Sequence, residues 1–112
     1  DGVIIKPEKF TTAREGDKIE FLFTTDRSDP DIKYWLIRTI FNSTSDTLEG
    51  NENELNEWGC LSVSSNGTAY RLQLTANDVK NLKKYGLFAN GYYLKVSQVN
   101  LLKKVAPTDM NY

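Results

Sequence analysis

The chain has 112 residues, a common size for one domain, with 14 Lys and Arg against 15 Asp and Glu. A net charge of −1 excludes a global field that would draw in nucleic acid or an anionic membrane. With 39% apolar and 26% charged residues the composition is not that of a disordered chain, and no apolar run approaches the roughly 20 residues a spanning helix needs.

Val3-Ile4-Ile5 is a short apolar run ahead of Pro7 and reads as an early or edge strand. Glu15-Gly16-Asp17 is a turn. Lys18 to Thr24 then alternates, with Ile19, Phe21 and Phe23 on one face, the pattern of a half-buried strand. Asp26 to Pro30 is a polar turn. Ile32 to Phe41 predicts a strand with apolar or aromatic residues on both faces, including Tyr34, Trp35, Leu36 and Ile37. Such a strand is either central in the core or carries a binding surface on its outer side.

Asn42 to Glu57 is a 16-residue polar stretch with four Glu and four Asn. Loops of that length are usually functional or mobile, and Trp58 stands at its end. Gly59 to Val63 reads as a strand that buries Cys60 as an inert thiol; it is the only cysteine, so no internal disulfide can form. After a Ser-Ser-Asn-Gly-Thr turn, Tyr70 to Leu74 is a further strand. If Phe21, Phe23, Tyr70, Leu72 and Leu74 point inward, Arg71 and Gln73 point outward.

Thr75 to Tyr85 predicts a short helix. Thr75 caps it, Asp78 stands at the third helical position as in a shortened capping box, and Lys80, Lys83 and Lys84 suit the negative end of the dipole. Gly86 ends it in a left-handed conformation. Gly86 to Gly91 and Leu94 to Leu101 form the closing strands, and the chain then turns polar through Lys103, Lys104, Pro107, Thr108 and Asp109, the pattern of a linker. The lack of an initiator Met and of a signal-peptide pattern reads as an excised mature fragment.

Catalysis finds few footholds. No histidine is present, which removes the commonest general base and metal ligand. Phosphate-binding Gly loops, Cys/His metal spacings and nucleophile elbows are also missing. Glu49, Glu52, Glu54 and Glu57 are the nearest thing to a carboxylate pair, yet they lie in what reads as a solvated loop rather than a cleft. Asn42-Ser-Thr and Asn66-Gly-Thr match the glycosylation sequon, a pattern short enough to arise by chance.

The aromatic content points to binding instead. Sugars present flat C–H faces and many hydroxyls, so a glycan site needs exposed aromatic planes together with planar polar groups. Trp58, Tyr34, Tyr92 and Trp35 are candidates for the first, and Arg38, Arg71, Gln73 and Asn90 for the second. Trp35, on a strand, also fits the core; Arg38 and Arg71 also fit a solvated surface.

The chain resembles the small jelly-roll carbohydrate-binding modules appended to polysaccharide-degrading enzymes of Bacteroidetes. The residues that carry the resemblance are Phe10 with Gly16-Asp17-Lys18-Ile19, Tyr34-Trp35-Leu36-Ile37, Trp58-Gly59-Cys60-Leu61, Tyr70 to Asp78 with Leu82, and Gly86 to Gly91 with Leu94, Val96, Val99 and Leu101. It implies an all-β fold: an antiparallel two-sheet β-sandwich, or jelly roll, over residues 1–101, with one short helix near residues 76–84 and a linker or tail at 102–112. It also implies a non-catalytic monomeric module that holds a β-glucan, xyloglucan, xylan or mannan beside an attached glycoside hydrolase. Its expected place is extracellular, at the cell surface or in the periplasm. No cofactor is implied; a structural calcium is common in jelly-roll modules, but no Asp/Asn cluster here specifies one. The other function compatible with the sequence is a structural or protein-interaction sandwich within a larger surface or secreted protein.

Overall fold

The computed structural model describes residues 2–105. Seven antiparallel strands form two sheets: β1 (Gly2–Ile5), β2 (Lys18–Thr25), β3 (Trp35–Phe41), β4 (Leu61–Val63), β5 (Ala69–Gln73), β6 (Leu87–Tyr92) and β7 (Leu94–Leu102). One sheet has the order β1-β6-β3-β4 and the other β5-β2-β7. The protein is an all-β sandwich with, among the described residues, a single α-helix, α1 (Ala76–Tyr85).

Alternation builds the core. Ile19, Phe21 and Phe23 of β2 and Leu72 of β5 face Ile37 and Phe41 of β3 and Leu87 and Ala89 of β6 across the sheets, all of them buried. Each such side chain removed from water stabilises the fold by about 1.5–3 kcal/mol. As the alternation requires, Arg71 and Gln73 lie on the solvent side of β5. β2 and β7 pair along their length with one bulge at Leu22/Phe23, where the Ser97 hydroxyl donates to the Leu22 carbonyl.

The helix begins as its sequence dictates. The Thr75 hydroxyl accepts from the Asp78 backbone N–H while the Asp78 carboxylate accepts from the Thr75 N–H, a complete capping box. Gly86 ends the helix at φ +80 and ψ −167, so its backbone is positive in φ but extended rather than left-handed helical. A Cβ there would lie 2.4 Å from the Ile5 carbonyl oxygen, which leaves glycine as the residue that fits.

Two expectations need correction. The third strand starts at Trp35, not Ile32, because Asp29, Pro30 and Asp31 hold a turn in which the Ile32 N–H reaches the Asp29 carbonyl. The long polar stretch is not a loose loop. Thr47 bridges to Ile40, Glu49–Glu54 forms a 3-10 turn, and Leu48 and Asn51 are buried. The Asp78 carboxylate accepts the Glu49 and Gly50 N–H groups at 2.7 and 2.9 Å, so a helix cap also anchors this segment.

At the far end of the sandwich, Asp17 accepts from the Arg14 and Lys104 N–H groups and pairs with the Lys103 ammonium. Lys103 and Lys104, the first residues of the expected tail after β7, are therefore tied to the sandwich. Pro107, Thr108 and Asp109 lie outside the described residues.

Candidate functional site

The outer face of the four-stranded sheet is built from the positions that the core does not take. On β3 these are Leu36, Arg38 and Ile40; on β6, Phe88, Asn90 and Tyr92. Register sets them side by side: Leu36 opposite Tyr92, Arg38 opposite Asn90, Ile40 opposite Phe88. Ile4 of β1 continues the Phe88 row and Ser62 of β4 the Leu36 row. Leu36 and Ile40 are only 8% and 6% exposed, so their neighbours' side chains cover an apolar floor on the outside of the sandwich.

Aromatic rings stand at one end of this face. Tyr34 and Tyr92 stack at 5.5 Å between centroids and 11° between planes, and Tyr93 meets Tyr92 edge-on at 4.8 Å. Tyr34 and Tyr92 are 46% and 45% exposed. The neighbouring Tyr34 hydroxyl pushes the Tyr92 phenol above its ordinary range, so it stays a neutral donor and acceptor in physiological solution. Tyr93 sits at φ +53, a strained value for an aromatic residue, at the corner where the chain passes from β6 in one sheet to β7 in the other.

Asp26 holds that corner. Its N–H donates to the Tyr93 carbonyl at 2.8 Å, and its own carbonyl accepts the Trp35 indole N–H at 2.7 Å. Trp35 packs against the core on the inner side of β3, with its only polar group spent on this brace.

Trp58 is the most exposed aromatic of the described residues, at 67%. It sits on a tight turn in which the Asn56 side-chain oxygen accepts both the Trp58 and Cys60 N–H groups and Gly59 adopts φ +73. Cys60, next to it, is half-buried rather than buried and precedes β4. The Ile37–Leu61 pairing brings Cys60 to the Arg38 side of the ladder; burial pushes its thiol up, while the Arg38 charge opposes that rise.

The eight residues singled out in the sequence therefore divide. Tyr34, Arg38, Asn90 and Tyr92 come together on the outer face of the four-stranded sheet, with Trp58 on the turn leading to Cys60, while Trp35 turns inward against the core. Arg71 and Gln73 lie on the outer face of the other sheet. There Arg71 pairs with Glu20 at 2.7 Å, and Glu20 also accepts from Asn100, in a polar ladder across β5, β2 and β7. Leu36 and Ile40 form the outward floor on the strand whose two apolar faces the sequence shows, whereas Phe88 escapes it, since nothing in its local pattern separates an outward apolar residue from a core one.

Asn90 has a further property. Its side-chain oxygen is buried and has no hydrogen-bond partner among the described residues. Asn90 also borders a cavity of about 480 Å³ that opens between β1 and β7, lined by Val3, Ala89, Leu94 and Val96 among others. Among the described residues no group of three or more His, Cys, Asp or Glu is placed to hold a metal ion, and no helix is long and apolar enough to cross a membrane.

No family model and no curated protein matches the chain. Among solved structures it is similar to SGBP-B of the Bacteroides ovatus mixed-linkage glucan utilization locus, solved in complex with a mixed-linkage heptasaccharide. The superposition has a TM-score of 0.62 over 87% of this chain at 16% identity. At that identity the likeness establishes the sandwich fold. The chain spans 22% of the length of that protein.

Proposed function

We propose that the protein is a non-catalytic carbohydrate-binding module that holds a polysaccharide on the outer face of its four-stranded sheet. The observation that carries this reading is the exposed Tyr34–Tyr92 stack standing beside Arg38 and Asn90 over an apolar floor. Tyr rings offer planes for sugar C–H faces at small entropic loss, while the guanidinium and the amide offer planar donors and acceptors for hydroxyls. Trp58 supplies a further plane at the β4 side of the face. The fold shared with a protein solved in complex with a mixed-linkage heptasaccharide supports the same reading.

The ligand is a plant cell-wall polysaccharide of the β-glucan, xyloglucan, xylan or mannan class. Affinity at one such open face is modest, and tethering to a glycoside hydrolase or to further modules at the cell surface raises it by effective concentration. The sandwich then acts as the holding element and the catalytic partner as the cutting one.

Affinity electrophoresis through gels containing xyloglucan, mixed-linkage β-glucan, xylan or glucomannan tests this. Retardation in at least one gel, lost in Tyr92→Ala, is the expected result. Unretarded migration in all of them and in polygalacturonate overturns the reading in favour of a structural or protein-docking sandwich.

A further inference from the structure

Arg38 stands out on the face just described. It is half-buried, yet among the described residues its guanidinium enters neither of the ion pairs, which are Arg71–Glu20 and Lys103–Asp17. None of the residues that strand register sets around it is acidic. Asn90 lies opposite on β6, Cys60 lies on the β4 side, Leu36 and Ile40 flank it along β3, and Tyr92 and Phe88 are diagonal on β6. The contrast with Arg71 is direct: that arginine, on the opposite sheet and more open to water, has a carboxylate at 2.7 Å. A cation set among aromatic and aliphatic side chains loses hydration without a counter-charge to offset it. Guanidinium geometry matches a carboxylate through two parallel N–H···O bonds, and the surrounding low-dielectric floor strengthens such a pair.

We propose that Arg38 receives the carboxylate of a uronic acid, so that the face selects acidic over neutral glycan. The inference rests on the carbohydrate-binding reading and adds the charge class of the ligand. Tyr34 and Tyr92 stack the sugar ring and Arg38 takes its carboxylate, with the Asn90 amide opposite Arg38 on β6. Two polysaccharide sources carry this chemistry: a neutral xylan backbone with glucuronate branches, and a galacturonate backbone.

The test is affinity electrophoresis and titration calorimetry of the protein with glucuronoxylan, the same glucuronoxylan after reduction of its carboxyl groups, polygalacturonate and mixed-linkage β-glucan. The expected result is binding to an acidic polymer that weakens roughly ten- to hundredfold on carboxyl reduction, the range of a charge-assisted bond, and that weakens further as salt is raised. Preference for glucuronoxylan places the acid on a branch, and preference for polygalacturonate places it in the backbone. Arg38→Gln should bring the acidic and reduced polymers to equal affinity. Arg38→Lys should recover only part of the difference, since it keeps the charge and loses the fork. Lys80→Gln, which removes the same charge from the exposed surface of α1, should change nothing. Circular dichroism of each variant monitors the fold. Equal binding to glucuronoxylan and its reduced form, or to neutral glucan, overturns the inference while leaving carbohydrate binding in place. Failure to bind any of the four polymers overturns both.

Discussion

The carboxylate of Asp78 accepts the backbone N–H of Glu49 at 2.7 Å, joining the first turn of the helix to a segment 29 residues earlier in the chain. The same side chain accepts from Gly50 and Thr75 and is fully buried. One residue therefore caps the helix and closes the side of the sandwich over β5. Asp78→Ala would strand the part-buried N–H donors of Glu49, Gly50 and Thr75, each bond to a charged acceptor being worth about 1.5–3 kcal/mol. We expect a loss of about 3 kcal/mol or more in urea unfolding, with new protease cleavage between Thr47 and Glu57.

Gly50 tests the same junction from the other side. A Cβ on it would stand 2.0 Å from the Gln73 carbonyl oxygen and 3.0 Å from Leu72. The obstacle is backbone, which cannot swing aside. Gly50→Ala should lower the thermal midpoint by several degrees, consistent with a cost of about 1–3 kcal/mol, and an unchanged midpoint would show that the 3-10 turn shifts freely.

The proposed function assigns binding to one face of the sandwich and scaffolding to the other. Tyr92→Ala and Trp58→Ala should each weaken glycan binding about tenfold or more with thermal midpoints near that of the parent. Arg71→Ala, on the opposite sheet, should leave binding unchanged. Loss of binding in Arg71→Ala with retention in Tyr92→Ala would move the site to the three-stranded sheet.

Asp17 should shape the acid limb of stability. Burial pushes its carboxyl up, but the Lys103 hydrogen bond and the N–H groups of Lys104 and Arg14 together outweigh burial and hold it below the ordinary 3.8. A carboxyl whose folded value is depressed contributes stability that is present above the unfolded value and fades as pH falls through the folded one. The contribution is thus complete above about pH 4 to 5 and lost below 3.8. Asp17→Asn should destabilise the protein at pH 7 and narrow its difference from the parent as the pH is lowered toward 3, read from thermal midpoints across that range.

Much of the architecture was legible in local pattern. Alternation in Lys18–Thr25 and Ala69–Gln73 named the inward residues, and Thr75 with Asp78 named the helix start. The polar stretch before Trp58 misled because its anchors are single residues, Leu48 and Asn51, set among Glu and Asn, and because the group that holds it sits 29 residues away. Four residues of the candidate face, Tyr34, Arg38, Asn90 and Tyr92, were visible as residue types, without any sign that Arg71 and Gln73 belong to the other sheet.

By itself, the sequence determined the class of the fold, since a period of two in side-chain polarity buries one face of each strand whatever its partners. It also determined the helix, whose cap, dipole charges and terminating glycine act within a few residues of one another. Tertiary structure alone decided which outward residues share a face. Tyr92 meets Tyr34, and Asn90 meets Arg38, only because β6 pairs with β3 across more than 40 intervening residues. Register between distant strands depends on the packing of the whole core, and no local pattern encodes it.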